Sequence, residues 1–245
     1  MCLTGRPNLC LSFNHIGQDS DGGFAGFAVA PAANAHHLPE QLSFAAGALV
    51  EPFAGALHCL QRARFHQGED VLIVGDGFFG QVFTQLARAL GAGRIVVLGH
   101  HAERLAKARE EGADVALDER GGEVTATAAG LGEGCGPDVT IATVTTGGAF
   151  ALALDLAGRG GRIGIFGASS LPFATPTRPI TAKELDIFGS RGNPGVWPDL
   201  IALMAEGRVK PERLISRTMP LDDLPHAFVL KASRAVSLSK IVLQP

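Results

Sequence analysis

The chain contains no tyrosine, one tryptophan and three methionines among its 245 residues. Without a tyrosine phenol, proton transfer by tyrosine is excluded, and with it the Tyr–Lys chemistry of short-chain dehydrogenases. An excess of charge is also absent, because 21 basic and 24 acidic residues give a net charge of −3. The sequence therefore provides no electrostatic basis for binding nucleic acid or an anionic membrane.

Long apolar runs are missing as well. Glycine, proline or charged residues interrupt every apolar segment before it reaches the roughly 20 residues of a membrane span. The first seven residues, Met-Cys-Leu-Thr-Gly-Arg-Pro, lack the basic-then-apolar pattern of a secretory signal. Four unevenly spaced cysteines in a chain of this length do not form a disulfide framework. These absences predict a cytoplasmic protein.

Strand and helix patterns alternate from about residue 70 to residue 190. Such alternation predicts an α/β fold with a doubly wound, parallel (Rossmann) sheet. A surface loop or an edge crossing is expected over the proline-rich residues 171–180. The predicted strands cover residues 71–74, 94–98, 115–117, 138–141, 161–167 and 185–189, and the clearest helices cover 79–90, 102–111 and 150–157.

The most informative motif is a G-x-G-x-x-G formed by Gly75, Gly77 and Gly80, with Phe78 and Phe79 inside it. It follows a short run of β-branched and aliphatic residues and leads into an amphipathic helix. In this context the first glycine allows a tight turn, the second a close approach of phosphate, and the third close packing of helix on strand. The motif therefore predicts a dinucleotide site at the start of that helix.

The two ends of the chain have different patterns. Residues 22–31 alternate like a half-buried antiparallel strand, residues 195–207 suggest a helix, and residues 241–243 suggest a terminal strand. We expect the two ends to form one sub-domain. The predicted domains are residues 1–50, residues 51–190 and residues 191–245.

Several short motifs occur in the order found in one known family. Together they resemble the zinc-dependent medium-chain dehydrogenases, on the sorbitol (polyol) dehydrogenase side, along the chain from Cys2 to its end. The motifs are Gly22-Gly-Phe-Ala, Leu38-Pro, Gly47-Ala-Leu-Val-Glu-Pro52, the glycine-rich motif, Gly160-Gly-Arg162 and Gly189-Ser-Arg191.

The resemblance implies a GroES-like catalytic sub-domain formed by both chain ends, a nucleotide-binding domain, and a catalytic zinc. It also implies hydride transfer between a secondary alcohol and a nicotinamide. Cys2 and Cys10 resemble the last two cysteines of the family's four-cysteine lobe, and the family's earlier zinc ligands have no counterpart here. We therefore expect the chain to lack the N-terminal part of the catalytic domain.

Glu51 is the candidate residue for catalysis and for the catalytic metal. In the polyol branch, the resemblance implies that the glutamate at this place points at the zinc or its water. The alternative is a structural role, because an acidic residue before Pro52 suits the start of a helix. One carboxylate does not hold zinc, since a catalytic site needs about three protein ligands.

The cysteines and histidines have less specific roles. Cys2 and Cys10 are either half of a structural zinc site or free thiols at the N-terminus. We expect Cys59 and Cys135 to be small buried residues. The histidine pair His36-His37 is expected at the surface, and His58 in helix packing.

The end of the second predicted strand bears on the choice of cofactor. An NAD site usually has an acidic residue there for the ribose hydroxyls. This chain has Gly99, followed by His100, His101 and Arg104. A missing carboxylate and nearby donors favour a 2′-phosphate, so we predict NADP rather than NAD, with NAD as the alternative.

The nicotinamide end of the site is expected at the carboxyl ends of later strands. The segment Val144-Thr-Thr-Gly147 follows the fourth predicted strand, and Phe166-Gly167 and Phe188 end the next two. These residues could line the nicotinamide pocket or be ordinary strand ends with glycine turns.

The resemblance thus implies an NAD(P)-dependent oxidoreductase of the zinc-type alcohol or polyol class. Its substrate would be a small alcohol or carbonyl compound, and an unprotected sheet edge favours a homo-oligomer, a dimer or tetramer. The rival hypothesis is a cofactor-binding protein without catalytic zinc or turnover. A third option is a zinc-free reductase like the quinone reductases, but Glu51, Cys2 and Cys10 argue against it.

Overall fold

The computed structural model describes every residue except Thr145, Ser170, Leu171, Phe173 and Arg234. The described chain divides into two compact units. One consists of Met1–Ala54 together with Gly192–Pro245, and the other of Gly55–Arg191. Part of the expected loop at 171–180 and part of the segment at 144–147 fall on positions outside the described residues.

Six parallel strands form the sheet of the second unit, in the order β3-β2-β1-β4-β5-β6. This confirms the predicted doubly wound sheet, including the neighbouring parallel pair β1 and β2. The connection changes direction between β1 and β4, which are neighbours in the sheet. The strands are β1 (Val71–Val74), β2 (Ile95–Gly99), β3 (Val115–Asp118), β4 (Val139–Ala142), β5 (Arg162–Ile165) and β6 (Asp186–Gly189).

The central strands are buried on both faces. Every residue of β1, β2 and β4 is buried, as expected of parallel strands covered by helices on either side. The helices are α1 (Phe44–Gly47), α2 (Val50–Arg62), α3 (Phe78–Ala89), α4 (Ala102–Glu110), α5 (Val124–Ala129), α6 (Gly147–Leu156), α7 (Arg178–Ala182), α8 (Trp197–Ala205) and α9 (Leu224–Ala232).

The first unit has its own small sheet, in which β7 (Ile215–Pro220) pairs in parallel with β8 (Lys240–Gln244). The helix predicted over 195–207 is α8, and the predicted terminal strand lies within β8. The strand predicted over residues 22–31 is wrong. Neither sheet of the described residues includes this segment, and apart from Gly22 it is exposed. An extended segment needs a neighbouring strand to pair its backbone groups, and alternation alone supplies none.

Within the described ranges, no helix is long and apolar enough to cross a membrane.

Candidate cofactor site

The glycine-rich loop joins β1 to α3. Gly75 has a φ of 122°, which only glycine adopts readily, and a Cβ there would overlap Oγ1 of Thr143. A Cβ at Gly80 would overlap the carbonyl oxygen of Gly75. Both glycines are therefore required for the turn to pack against the sheet and the helix.

Gly77 differs from the other two glycines. It is the N-cap residue of α3 and gives this helix no side-chain cap. A Cβ built on Gly77 meets nothing within 4 Å, so its absence leaves open space beside the helix N-terminus. A helix N-terminus favours an anion through its backbone N–H groups and its dipole. The loop thus fits the pyrophosphate of a dinucleotide.

The phenylalanines of the loop contact an aromatic residue from another strand. The ring of Phe79 lies 5.2 Å from that of Phe78 and 4.7 Å from that of Phe166, which follows β5. Phe83 packs against Phe166 from one turn further along α3, at 5.0 Å. This cluster ties the loop to the carboxyl end of β5.

The other predicted pocket residues occupy different places. Val144, 43% exposed, follows β4, and its Cγ2 would lie 3.0 Å from a Cβ on Gly75. Gly167 follows Phe166 and is half-buried. Phe188 packs beside Gly164 within the sheet, and its ring lies 5.9 Å from the guanidinium of Arg62. The structure therefore brings Val144 and Phe166 to the loop, whereas the contacts of Phe188 are with α2 and β5.

Asp76, the residue between the first two glycines, is only 4% exposed. Its Oδ2 accepts hydrogen bonds from the backbone N–H groups of His100 (2.9 Å) and His101 (2.8 Å). The Nδ1 atom of His101 lies 3.2 Å from the same oxygen, and Nη1 of Arg104 lies 3.8 Å from Oδ1. Asp76 therefore contacts the backbone of His100 and His101 and the side chains of His101 and Arg104, whereas the ring of His100 lies beside Glu119, with Nδ1 3.5 Å from Oε1.

Gly99 leaves room for this carboxylate. A Cβ at Gly99 would overlap the Cβ, Cγ and Oδ2 atoms of Asp76. The glycine at the end of β2 is thus a steric requirement of the glycine-rich loop. Gly99 was predicted as a site residue and Asp76 was not, although an acidic residue inside a G-x-G-x-x-G was a visible signal.

Gln81 is a second buried polar residue of the site that was not predicted from the sequence. This glutamine, 3% exposed, donates from Nε2 to the carbonyl oxygens of Asp76 (3.0 Å) and Arg104 (2.9 Å). It thereby joins the glycine-rich loop to α4. The sequence gives little signal for it, because Gln81 shares its side of α3 with the polar residues Thr84 and Gln85.

Asp76, His100 and His101 also have ligand atoms within 4.8 Å of one another, a spacing that could suit a metal ion. The carboxylate, however, already accepts two backbone hydrogen bonds and lies beside the guanidinium of Arg104. A cation there would displace those bonds and meet a positive charge. We interpret the group as a hydrogen-bonded cluster.

Glu51 is exposed in the first turn of α2. Its Oε1 accepts a hydrogen bond from Nδ2 of Asn193 at 3.1 Å, and Oδ1 of Asn193 accepts one from Nε1 of Trp197 at 3.1 Å. The ring of His36 stacks on Trp197 at 5.1 Å. Among the described residues, no group of three metal-ligating side chains includes Glu51. These residues therefore do not fit a catalytic zinc at Glu51, where about three protein ligands are needed.

All four cysteines are free. A backbone hydrogen bond from Ser12 and a hydrogen bond with Cys2 lower the pKa of the Cys10 thiol. Burial raises the pKa of Cys59 to about 12. The prediction that Cys135 is buried is wrong, because it is exposed in the turn that precedes β4. Burial also lowers the pKa of His58, helped by Arg62 nearby.

The chain matches the family model for zinc-binding dehydrogenases over residues 79–206. Sorbitol dehydrogenase from Pongo abelii is 32% identical over 231 residues, which cover 93% of this chain and 64% of that protein. The chain thus spans somewhat less than two thirds of the length of this relative.

Two solved structures share the fold over the whole chain. The rspB protein from Escherichia coli CFT073, described as a short chain alcohol dehydrogenase complexed with NADH, has a TM-score of 0.92 and 31% identity. A protein from Sinorhizobium meliloti 1021, described as a putative zinc-binding dehydrogenase bound to NADP, has a TM-score of 0.91 and 32% identity. This chain covers 72% of each of them. The chain belongs to the zinc-binding dehydrogenase family.

Proposed function

We propose that this protein is an NADP-dependent oxidoreductase that transfers a hydride between the nicotinamide and a secondary alcohol or polyol. The observation that carries the proposal is the glycine-rich loop. Gly77 leaves open space at the N-terminus of α3, whereas Gly75 and Gly80 are packed so closely that they tolerate no side chain. This combination suits a pyrophosphate held by backbone N–H groups.

The preference for NADP is supported by the side chains at the end of β2. The side chains of His100, His101 and Arg104 are 52%, 30% and 26% exposed, while that of Asp76 is 5% exposed. These partly exposed groups could donate to a 2′-phosphate, and the acidic group beside them is buried. NAD is the alternative, and both cofactors occur among the similar structures.

The nicotinamide end is proposed at the carboxyl ends of β1, β4 and β5, which are adjacent in the sheet. Ligands of doubly wound sheets bind where the strand order reverses, here between β1 and β4. Val144 and Phe166 would provide apolar walls that exclude water from the ring. When bound, NADP supplies the acceptor for the hydride that leaves the alcohol carbon.

The substrate class comes from the relatives, which include a sorbitol dehydrogenase and an alcohol dehydrogenase. We infer the same class of small alcohol or carbonyl compound here. The first unit would serve as the GroES-like sub-domain, with the sheet domain over about residues 51–190. A homo-oligomer and a cytoplasmic location are part of the same proposal.

A second candidate function is cofactor binding without zinc-dependent turnover. The surroundings of Glu51 favour it. The carboxylate of Glu51 accepts a hydrogen bond from Asn193, and in the described part of the chain no two further metal-ligating side chains lie beside it. Cys2 and Cys10 would supply two of the four thiolates of a structural zinc site. No step of the proposed reaction is therefore assigned to a metal held by this chain.

One pair of measurements separates the two candidates. The purified 245-residue chain is analysed for zinc, and the reduction of NADP is followed with sorbitol and with secondary alcohols. NADP binding with alcohol-dependent reduction supports the dehydrogenase. NADP binding with neither zinc nor turnover supports the second candidate. A chain that binds neither NADP nor NAD contradicts both.

A further inference from the structure

We propose that Gln81 is a positioning residue of the cofactor site, which aims the backbone N–H of Gly77 at the pyrophosphate of the dinucleotide. Gln81 acts through the peptide bond between Asp76 and Gly77, which its side-chain amide holds in one orientation. The inference rests on the proposed function, because it concerns how the glycine-rich loop binds a pyrophosphate.

The direction of this peptide bond is the first argument. Nε2 of Gln81 donates to the carbonyl oxygen of Asp76 at 3.0 Å, in a buried contact. The peptide bonds of the described residues are all trans, so the carbonyl of Asp76 and the N–H of Gly77 point in opposite directions. With the carbonyl directed at the buried amide, the N–H of Gly77 is directed away from the interior. Gly77 is the N-cap residue of α3 and borders open space, where an anion is favoured.

A second hydrogen bond from the same nitrogen fixes the amide of Gln81. Nε2 carries two hydrogens, and the second is donated to the carbonyl oxygen of Arg104 at 2.9 Å. Arg104 belongs to the first turn of α4, so the amide is anchored on one helix while it holds the loop that begins another. The peptide between Asp76 and Gly77 cannot rotate without breaking a buried hydrogen bond.

The other end of the amide shows what Gln81 does not provide. Its side chain is 3% exposed, and among the described residues its Oε1 has no hydrogen-bond partner. Burial of an unsatisfied oxygen opposes folding and offsets part of what the two Nε2 bonds contribute. Methionine, which is also unbranched, would avoid this cost but would release the carbonyl of Asp76. Loss of the amide should therefore be felt in ligand binding more than in stability.

The test compares wild type with Q81M and with the matched control Q85M. Gln85 lies one turn further along α3, is 5% exposed, and donates to Oε2 of Glu111 at 2.7 Å. Its replacement removes a buried amide from the same helix without touching the glycine-rich loop. Dissociation constants are measured for NADP⁺, for NAD⁺ and for adenosine 2′-monophosphate, which lacks the pyrophosphate.

We expect Q81M to weaken binding of NADP⁺ and of NAD⁺ by the same factor, about tenfold, and to leave adenosine 2′-monophosphate near its wild-type affinity. Q85M should melt below wild type and keep its affinity for all three ligands. A Q81M chain that binds both dinucleotides as wild type does would overturn the inference. So would equal losses for all three ligands, which would show that Gln81 has a structural role only.

The amide signal of Gly77 in a proton–nitrogen correlation spectrum provides a second readout. Titration of wild type with NADP⁺ should shift this signal, and an unmoved signal would overturn the inference even if Q81M failed to fold. Without any cofactor, Q81M should shift the signal and Q85M should not. A wild-type chain that binds neither dinucleotide refutes the proposed function, whereas wild-type affinities in Q81M refute this inference only.

Discussion

The side chain of Asp76 fills the space that a side chain at Gly99 would need. The absence of an acid at the end of β2 is therefore linked to the presence of one in the glycine-rich loop. An aspartate introduced at residue 99 would therefore not simply add an acid at the end of β2, because its side chain would first collide with Asp76.

Gly77→Ala should weaken dinucleotide binding without affecting folding. The added Cβ enters open space, so the melting temperature should stay within about 1 °C of wild type, as expected for a substitution without new contacts. The same methyl group stands where the pyrophosphate approaches the backbone, and we expect affinity for NADP to fall about tenfold or more, about 1.4 kcal/mol. Titration calorimetry and thermal unfolding measure the two effects.

The matched control is Gly80→Ala, the same chemical change three residues later. Its Cβ would overlap the carbonyl oxygen of Gly75, so we expect a loss of about 1–3 kcal/mol in the free energy of unfolding. If Gly77→Ala destabilised the chain as much as Gly80→Ala, the open space beside α3 would be misassigned.

Arg104→Gln should lower affinity for NADP more than for NAD. The guanidinium of Arg104 lies near the carboxylate of Asp76. A charge-assisted hydrogen bond from it to a 2′-phosphate would contribute about 1.5–3 kcal/mol to binding, whereas a ribose hydroxyl gains little from a cation. The expected result is a fall of about tenfold in NADP affinity with little change for NAD. Arg208→Gln, the same charge change in the first unit, is the control. Equal losses for both cofactors would argue against a 2′-phosphate contact.

The sheet was predictable from the sequence because parallel strands buried on both faces read as short apolar runs. Val71–Val74 and Ile95–Gly99 stand out for this reason, and the glycine motif fixes their connection. The strand prediction at residues 22–31 failed because alternation of apolar residues indicates a strand but does not show whether a second strand is present to pair with it. The hydrogen bonds from His100 and His101 to Asp76 could not be predicted, because they join residues 24 and 25 positions apart in the sequence. Only the fold shows that the Asp76 carboxylate occupies the space beside Gly99.

Asp70 should make stability depend on pH. Burial opposes its ionised form, but hydrogen bonds from Gly132 and Arg94 outweigh it and lower the pKa of the carboxyl. Because the folded pKa lies below the unfolded value of about 3.9, the stabilisation is complete above about pH 4 and is lost as pH falls through the folded pKa.

Asp70→Asn should therefore destabilise the chain at pH 7 by about 1–3 kcal/mol, and the difference from wild type should shrink below about pH 4. Thermal unfolding between pH 7 and pH 3 measures the trend. The exposed Asp222→Asn is the control and should follow wild type at each pH. A difference that grows on acidification would reverse the assigned direction.

The cysteines should differ in their reaction with an alkylating reagent. Burial raises the pKa of Cys59 to about 12, and its side chain is inaccessible in the native chain. Cys2 and Cys135 are exposed, so they should be modified in native protein, and Cys59 only after unfolding. Pulse alkylation followed by mass spectrometry reads each site. Modification of Cys59 as fast as Cys135 in native protein would contradict the buried position on α2.

The central claim is that the loop from Gly75 to Gly80 and the turn at His100 and His101 form an NADP site. Side-by-side calorimetric titration of the 245-residue chain with NADP⁺ and NAD⁺ tests it most directly. We predict one site per chain and tighter binding of NADP⁺. Binding of neither cofactor, or binding of NAD⁺ that is tighter by tenfold, about 1.4 kcal/mol, would contradict the account.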